Sequence, residues 1–313
     1  MWQAYLIYFF WHRWLYVTNF FFFCFILFVN QACALTFSLS NQEDIVGQVQ
    51  WTQALPGDTF SKIGRRFDLG YFELVEANPM LNPEELMPGT IVVLPSRFIL
   101  PPGPRKGIVV NLAELRIYCY AANGRQVATY PVGIGREGWD TPLGVSWVAE
   151  KIINPIWTVP VSIRKDREKE GVYLPAKVLP GPNNPLGGYA LRLKQSTYLI
   201  HGTNDYRGVG RRSSAGCIRM LPEDIESFFP KVKQREPIYI VNLPYKLGWY
   251  NNRLYLEVHV PLQGDITLEA IAQAIKKKVR KDSRYEQLTV SWKMVNAVIS
   301  QKQGIPRLIG FPA

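Results

Sequence analysis

Turn segments rich in proline and glycine constrain the fold of residues 101–244 more than any other feature of this sequence. Residues 180–188 read PGPNNPLGG, a stretch that no helix could tolerate, because proline lacks a backbone donor and both residue types favour turns. Short runs rich in β-branched and aromatic residues lie between such turns and predict strands. These runs are residues 108–112, 115–120, 126–132, 145–148, 190–193, 198–200 and 237–241. With one short helix expected over 222–229, residues 107–243 are predicted to form a mainly β domain.

The first 34 residues carry 14 of the 41 aromatic residues and are typical of a targeting segment. Residues 15–29 have the length of a signal-peptide core and are short for a bilayer span. Ala32-Cys33-Ala34 supplies the small-x-small pattern after which signal peptidase cuts. We therefore predict an exported protein with a signal peptide over residues 1–34. An uncleaved membrane anchor is the alternative, because residues 1–11 are also apolar, and a lipoprotein modified at Cys33 fits less well because Asn30 precedes it.

The cysteines do not suggest a disulfide scaffold. Loss of the signal peptide would leave Cys119 and Cys217, and two cysteines are too few for a disulfide-dense fold of this size. Cys119 lies in a strand-like run and is predicted to be a small buried hydrophobe. The sequence alone does not exclude a disulfide bond between Cys119 and Cys217.

The net charge of +11 is compatible with binding to nucleic acid, an anionic membrane or an anionic polymer. Residues 35–100 contain four basic and eight acidic residues, so the basic excess lies in the later two-thirds of the chain. No motif combines aromatic and basic residues in the way nucleic-acid binding requires, and export argues against such a partner. Nucleic acid is therefore not expected as a ligand.

Residues 49–97 contain the signals of a small strand-helix-helix-strand unit. Phe60, Ile63 and Phe67 have helical spacing, and Asp58 or Thr59 is the expected N-cap. A second helix is predicted over 71–77 and a strand over 91–94, whereas the first strand, over 49–52, is less clear.

This order, with GDT at 57–59, NP at 78–79 and PG at 88–89, resembles a LysM domain. The resemblance implies a βααβ module that binds N-acetylglucosamine-type glycan; a small helical spacer is the alternative. Residues 35–48 are predicted to be a linker and residues 98–106 a Pro-rich connector.

Residues 244–313 are predicted to form an α/β extension. Residues 253–260 alternate like a strand, and residues 267–281 form an amphipathic helix. The basic run 276–278 could hold an anionic surface, but is more typical of a solvated helix end. His259 is expected to be structural.

A Cys/His pair is the candidate catalytic site of this sequence. His201 opens the sequence HGTN, and Cys217 lies within SAGCIRM at 214–220. A neighbouring imidazole and positive charge from Arg219, Arg211 and Arg212 would lower the thiol pKa and favour a nucleophilic thiolate. The backbone N–H groups of Gly216 and Cys217 could stabilise an oxyanion. A buried thiol beside a structural histidine is the alternative, and two ligands are too few for a metal site.

These two motifs resemble the signature of the L,D-transpeptidase (YkuD-type) catalytic domain. The segments at 107–116, 131–136, 141–144, 154–157 and 184–187 fit the same family in order. The resemblance implies a YkuD-type β-sandwich with short helices, with Cys217 as nucleophile and His201 as base. It also implies that the Gly202 carbonyl orients the imidazole. Substrate-binding positions are expected at Ser214, Arg219, Thr203, Asn204 and Trp157. Many members have His where this chain has Ala215.

The resemblance implies ping-pong acyl transfer in the bacterial cell wall. Cys217 would form a thioester with a peptidoglycan tetrapeptide stem, releasing D-alanine, and an amine would then accept the acyl group. The acceptor could be a second stem, a lipoprotein lysine as in the periplasmic branch that anchors Braun's lipoprotein, or water. No metal or other cofactor is needed, and carbapenems should acylate the same sulfur. A hydrolase and an inactive wall-binding protein are the alternatives.

Overall fold

The N-terminal part of the chain is built from short strands around two helices. The computed structural model describes residues 34–40, 42–194, 197–281 and 288–312. Its first elements are β1 Leu35–Ser38, β2 Ile45–Gly47, β3 Gln50–Gln53, α1 Phe60–Phe67, α2 Tyr71–Ala77, β4 Ile91–Leu94 and β5 Arg97–Ile99. Because β3 pairs antiparallel with β4, the predicted strand-helix-helix-strand order is confirmed. Thr59 is the N-cap of α1, and its Oγ1 accepts the Lys62 N–H at 3.3 Å.

The middle of the chain is mainly β, as predicted. Its strands are β6 Ile108–Asn111, β7 Arg116–Tyr120, β8 Gln126–Pro131, β9 Ile134–Gly135, β10 Gly144–Ile153, β11 Trp157–Thr158, β12 Lys177–Val178, β13 Tyr189–Leu193, β14 Leu199–His201, β15 Arg212–Ser214, β16 Ile218–Arg219 and β17 Pro237–Val241. Its helices are α3 Val161–Glu168 and α4 Pro222–Phe228, with 3₁₀ turns at Tyr206–Gly208 and Phe229–Lys231.

The C-terminal part is α/β, as predicted. Its elements are β18 Tyr245–Tyr250, β19 Arg253–Val258, α5 Leu268–Arg280, β20 Leu288–Val290, α6 Trp292–Gln301 and β21 Arg307–Pro312. The four strands form one sheet in the order β18-β19-β21-β20. Ile271 and Ile275 of α5 are buried against this sheet in a cluster with Leu254 and Leu256. At the basic end of α5, Lys278 Nζ lies 2.6 Å from an Asp44 carboxylate oxygen, whereas the flanking lysines are exposed.

One nine-stranded mixed sheet organises the middle of the chain. Its order is β1-β8-β7-β6-β17-β10-β13-β14-β16. The pairs β17–β6 and β14–β16 are parallel, and the other six are antiparallel. Ile108, Val110, Ile117 and Tyr130 are among the side chains that form the core on this sheet.

The predicted linker and connector are wrong in part. Leu35–Ser38 is the edge strand β1, which pairs with β8, and Ile45–Gly47 pairs with Arg97–Ile99. The connector therefore begins after Ile99 rather than at residue 98. Each of these strands has only three or four residues, and each is held in place by pairing with its partner strand.

The predicted LysM unit shares a hydrophobic core with the large sheet. Phe60 and Ile63 of α1 belong to the same buried cluster as Val109 and Tyr118 of the sheet. The fully buried Arg116 forms an ion pair with Glu73 of α2, with Nε–Oε1 at 2.7 Å, and donates to the Asp68 carbonyl at 2.9 Å. The two units are therefore packed together and not only joined by a connector.

The predicted signal peptide lies outside the described residues except for Ala34. Across the described ranges, none of the helices has both the length and the apolar character that crossing a bilayer demands.

Candidate active site

Two neighbouring strands bring the predicted Cys/His pair together. His201 is the last residue of β14, and Cys217 directly precedes β16, which pairs in parallel with β14. The register sets His201 beside Arg219 and Ile200 beside Ile218. His201 and Cys217 line one cavity of about 530 Å³. Both cysteines outside the N-terminal segment are free, so the open alternative of a Cys119–Cys217 bridge is excluded.

The neighbouring carbonyl sets the tautomer of His201. The Nδ1 atom lies 2.5 Å from the Gly202 carbonyl oxygen, which can only accept a hydrogen bond. Nδ1 must therefore carry the proton, and the Nε2 lone pair of the neutral ring is available as a base. The predicted orienting role of Gly202 matches this contact.

The electrostatics of the pair differ from the sequence-based expectation. Burial and the nearby Arg219 charge lower the pKa of His201 to about 3, although the Gly202 hydrogen bond opposes this effect. Burial also raises the pKa of the Cys217 thiol, in spite of a backbone hydrogen bond from Leu199 and the Arg219 charge. The expectation of a lowered thiol pKa is therefore wrong, because desolvation outweighs the nearby positive charge. The resting pair consists of a thiol and a neutral imidazole.

Ser214 holds the turn at residues 214–217, which carries the Cys217 thiol. Its hydroxyl donates to the Cys217 carbonyl at 2.5 Å and accepts the Gly216 N–H at 3.1 Å. The prediction that Gly216 provides an oxyanion donor is therefore wrong for this conformation, because its N–H is already used. The Cys217 N–H has no acceptor within the described part of the chain and stays available for that role.

Gly216 is required by its backbone conformation. Its φ of 100° lies in a region that L side chains rarely adopt. A Cβ at this position would also lie 2.7 Å from Cε1 of Tyr198. The glycine before the sulfur therefore shapes the turn rather than merely leaving room for substrate.

Four arginines and no carboxylate line the described part of the cavity. Arg136, Arg167 and Arg192 form ion pairs with Asp166, Glu170 and Glu150, respectively. Arg219 has no carboxylate within ion-pair distance among the described residues. Its Nη1 lies 3.4 Å from the Ser213 hydroxyl, and its buried Nε has no partner there. The Arg219 guanidinium is therefore available to bind an anionic group that enters the cavity.

The segment between β10 and β13, residues 154–188, forms one wall of the cavity. Trp157, a predicted substrate-binding residue, lies on this wall, together with Ile163 and Arg167 of α3. Ala215, at the position where many family members have His, faces the same cavity. No local signal predicts α3, because none of its residues is buried and it has no apolar stripe.

Other predicted residues lie outside the lining. Thr203 Oγ1 donates to the Asp205 carbonyl, and Asn204 Nδ2 donates to the Pro182 carbonyl. Arg211 lies over the Tyr71 ring and forms an ion pair with Glu84 of the LysM unit. Arg212 pairs with Asp140. The expectation that Arg211 and Arg212 act on the thiol is therefore wrong.

The lining residues Arg136 and Arg192 were missed, because both lie outside the Cys/His motifs at 201–204 and 214–220. Position 136 ends the PVGIGR segment at 131–136, which was the one available signal.

A second buried polar cluster has the ligand types of a metal site but contains its own cation. Glu114, Glu257 and His259 bring three such atoms together. Lys246 Nζ lies 2.7 Å from Glu114 and 2.8 Å from Glu257, so its ammonium occupies the position of an ion. Hydrogen bonds to Glu257 and Glu76 raise the pKa of His259 to about 10 against the effect of burial, so the ring is protonated and cannot ligate. This histidine is structural, as predicted.

A cysteine thiol and a neutral imidazole line one arginine-rich cavity, an arrangement compatible with cysteine acyl transfer. Comparison with known proteins identifies the family. Residues 105–240 match the model of the L,D-transpeptidase catalytic domain (YkuD), and residues 55–95 match the LysM domain.

The chain is 37% identical over 245 residues to the probable L,D-transpeptidase YcfS of Escherichia coli (strain K12), covering 74% of this chain and 77% of that protein. It is 36% identical over 252 residues to the probable L,D-transpeptidase ErfK/SrfK of Salmonella typhimurium (strain LT2), covering 79% and 81%. The chain belongs to the L,D-transpeptidase family, and it is an enzyme that acts on peptidoglycan.

Among solved structures, the chain is similar to the catalytic domain of the E. faecium L,D-transpeptidase determined by NMR. The identity is 21% and the TM-score 0.32, covering 43% of this chain and 95% of that chain.

Proposed function

We propose that Cys217 is the nucleophile of the L,D-transpeptidase reaction and that His201 is its general base. The observation that carries the assignment is the hydrogen bond between His201 Nδ1 and the Gly202 carbonyl, which leaves Nε2 free to take a proton. The strand pairing β14–β16 supports the proposal, because it keeps this base beside the turn that carries the thiol.

The chemistry begins from a neutral pair. As the Cys217 sulfur attacks the stem-peptide carbonyl, its proton moves to His201 Nε2, and the carbonyl oxygen becomes an oxyanion. The tetrahedral intermediate then expels the amine of D-alanine, which takes the proton from the imidazolium and leaves a thioester. An acceptor amine attacks the thioester and gives its proton to His201, and collapse releases the new amide and regenerates the thiol.

Arg219 is proposed to bind a carboxylate of the stem peptide. Burial lowers the pKa of Arg219, and partial burial without an ion-pair partner strengthens its attraction for an incoming anion. Ser214 is proposed to hold the nucleophile turn at residues 214–217, and Trp157 to contact the stem from the wall formed by the segment between β10 and β13. Thr203 and Asn204 would act only indirectly, by shaping the loop after His201.

The LysM unit is proposed to bind the glycan strands whose stems reach Cys217. The proposed location is the periplasm, after export by the N-terminal segment. The acyl acceptor is proposed to be an amine, either a second stem peptide or the lysine of an outer-membrane lipoprotein.

The test is mass spectrometry of products from purified muropeptide tetrapeptides. Wild-type enzyme should release D-alanine and form cross-linked product, whereas Cys217→Ala should release none. Cys119→Ala is the matched control, because it removes a cysteine on β7 that lies outside the cavity lining. D-alanine release by folded Cys217→Ala would refute the nucleophile assignment.

The same assay with an added lysine-terminated peptide identifies the acceptor. Formation of the peptide adduct favours lipoprotein attachment, and stem dimers alone favour cross-linking. Tripeptide without any amide product would show that water is the acceptor and that the enzyme is a hydrolase.

A further inference from the structure

Thr141 forms a hydrogen-bonded bridge to the nucleophile turn. The residue is buried in the segment between β9 and β10. Its Oγ1 accepts the Gly135 N–H at 3.0 Å and donates to the Gly216 carbonyl at 3.0 Å. The direction of both bonds is fixed, because an amide N–H can only donate and a carbonyl can only accept. The Thr141 hydroxyl proton therefore points at the oxygen of Gly216.

The Gly216 carbonyl belongs to the same peptide unit as the Cys217 N–H. A trans peptide is planar, and its C=O and N–H groups point in opposite directions. A bond that holds the oxygen at one end therefore also fixes the direction of the N–H at the other end. A hydrogen bond accepted by the carbonyl further polarises the unit and strengthens the N–H as a donor.

The neighbouring peptide units are held by a different residue. Ser214 binds the Gly216 N–H and the Cys217 carbonyl, on either side of the unit that Thr141 holds. Since the Gly216 N–H is used in this way, the Cys217 N–H is the donor of this turn that remains for the oxyanion.

We propose that Thr141 is a positioning residue that orients and polarises the Cys217 N–H toward the oxyanion of the tetrahedral intermediate. This inference rests on the proposed role of Cys217. Thr141 exchanges no proton with substrate, so its effect should fall on formation of the intermediate and not on substrate binding.

The test compares Thr141→Val with Thr141→Ser and with a matched control. Valine keeps the shape and removes both hydrogen bonds, whereas serine keeps the hydroxyl. Thr129→Val is the control, because the buried Thr129 hydroxyl also joins an N–H donor, Arg116 Nη1, to a backbone carbonyl, that of Ile117, but lies on β8.

Loss of a complete oxyanion donor costs on the order of 10²–10³ in kcat, so misdirecting one should cost roughly tenfold or more. We expect this fall in kcat for D-alanine release by Thr141→Val, with KM nearly unchanged, and near wild-type kcat for Thr141→Ser and Thr129→Val. Alkylation of Cys217 by iodoacetamide is the second readout. This displacement develops no oxyanion, so its rate should stay within about twofold in Thr141→Val if only the donor is affected.

Equal kcat in wild type and Thr141→Val would overturn the inference, as would alkylation that slows in parallel with turnover. Thr141→Ala is made in parallel, and folding of each variant is verified by cooperative thermal unfolding. If neither hydroxyl-free variant folds, the residue is structural and the inference fails. Failure of the proposed function is distinguishable, because turnover would then survive in Cys217→Ala whatever the Thr141 variants do.

Discussion

The resting protonation state of the Cys/His pair predicts how alkylation of Cys217 depends on pH. Burial and Arg219 bring the pKa of His201 to about 3, and burial raises that of Cys217. At pH 7 the imidazolium is then on the order of one molecule in 10⁴. The thiolate fraction lies below the few per cent expected of a free thiol with a pKa of about 8.5. The pair is therefore neutral at rest, and the proton moves only during attack.

The assay measures the iodoacetamide rate constant at the Cys217 peptide by mass spectrometry between pH 5 and pH 10. Because only the thiolate reacts, the rate should rise about tenfold per pH unit through neutrality without a plateau. Cys119, whose pKa burial raises to about 11, serves as an internal reference and should react still more slowly.

An ion pair would give a different profile. If His201 were protonated and Cys217 ionised, the rate would reach a plateau near pH 5 and stay level to pH 8, which would refute the neutral-pair reasoning. A His201→Gln variant separates the two roles of the ring. Alkylation should change little at any pH, whereas D-alanine release should fall by roughly 10²–10⁴, the usual contribution of a general base.

Three further variants follow from the geometry. Arg219→Gln removes a charged hydrogen-bond donor worth about 1.5–3 kcal/mol, so steady-state kinetics should show KM for the tetrapeptide rising roughly 10- to 150-fold, and an unchanged KM would exclude carboxylate binding. Gly216→Ala places a methyl group against the Tyr198 ring at a φ of 100°, and urea unfolding should show a loss of about 1–3 kcal/mol together with loss of turnover. His259 has a folded pKa of about 10 against about 6.5 unfolded, so its stabilisation is complete below pH 6.5 and is lost as pH rises through 10. His259→Gln should flatten this loss, on the order of 5 kcal/mol at most, in unfolding curves measured at several pH values.

Local signals explain which elements could be predicted. Helices α1 and α2 have caps, helical spacing and a following Asn-Pro, all of which lie within a few residues of each other. Helix α3 has no buried residue, and strand β1 is a short edge strand whose structure depends on β8. The alternation of Leu35, Phe37 and Leu39 with polar residues favours a strand, whereas α3 has no apolar stripe and only the tertiary structure reveals it.

The same division applies to the site. Cys217 and His201 can be proposed from the sequence alone, because their motifs are local and specific. The arginines on the cavity wall come from separate segments, and the raised pKa of Cys217 depends on burial that no motif encodes. The use of the Gly216 N–H by Ser214 likewise depends on how one turn closes.

The LysM unit is not an independent module, because it packs against the catalytic domain. Residues 49–97 read as a separate module joined by a linker and a connector, yet Phe60 and Tyr118 share one core across that boundary. The buried Arg116–Glu73 ion pair adds specificity there, because removal of either partner would leave an uncompensated buried charge costing about 3–5 kcal/mol. The relative placement of glycan-binding module and catalytic domain is therefore set by a packed interface and not by the length of the connector.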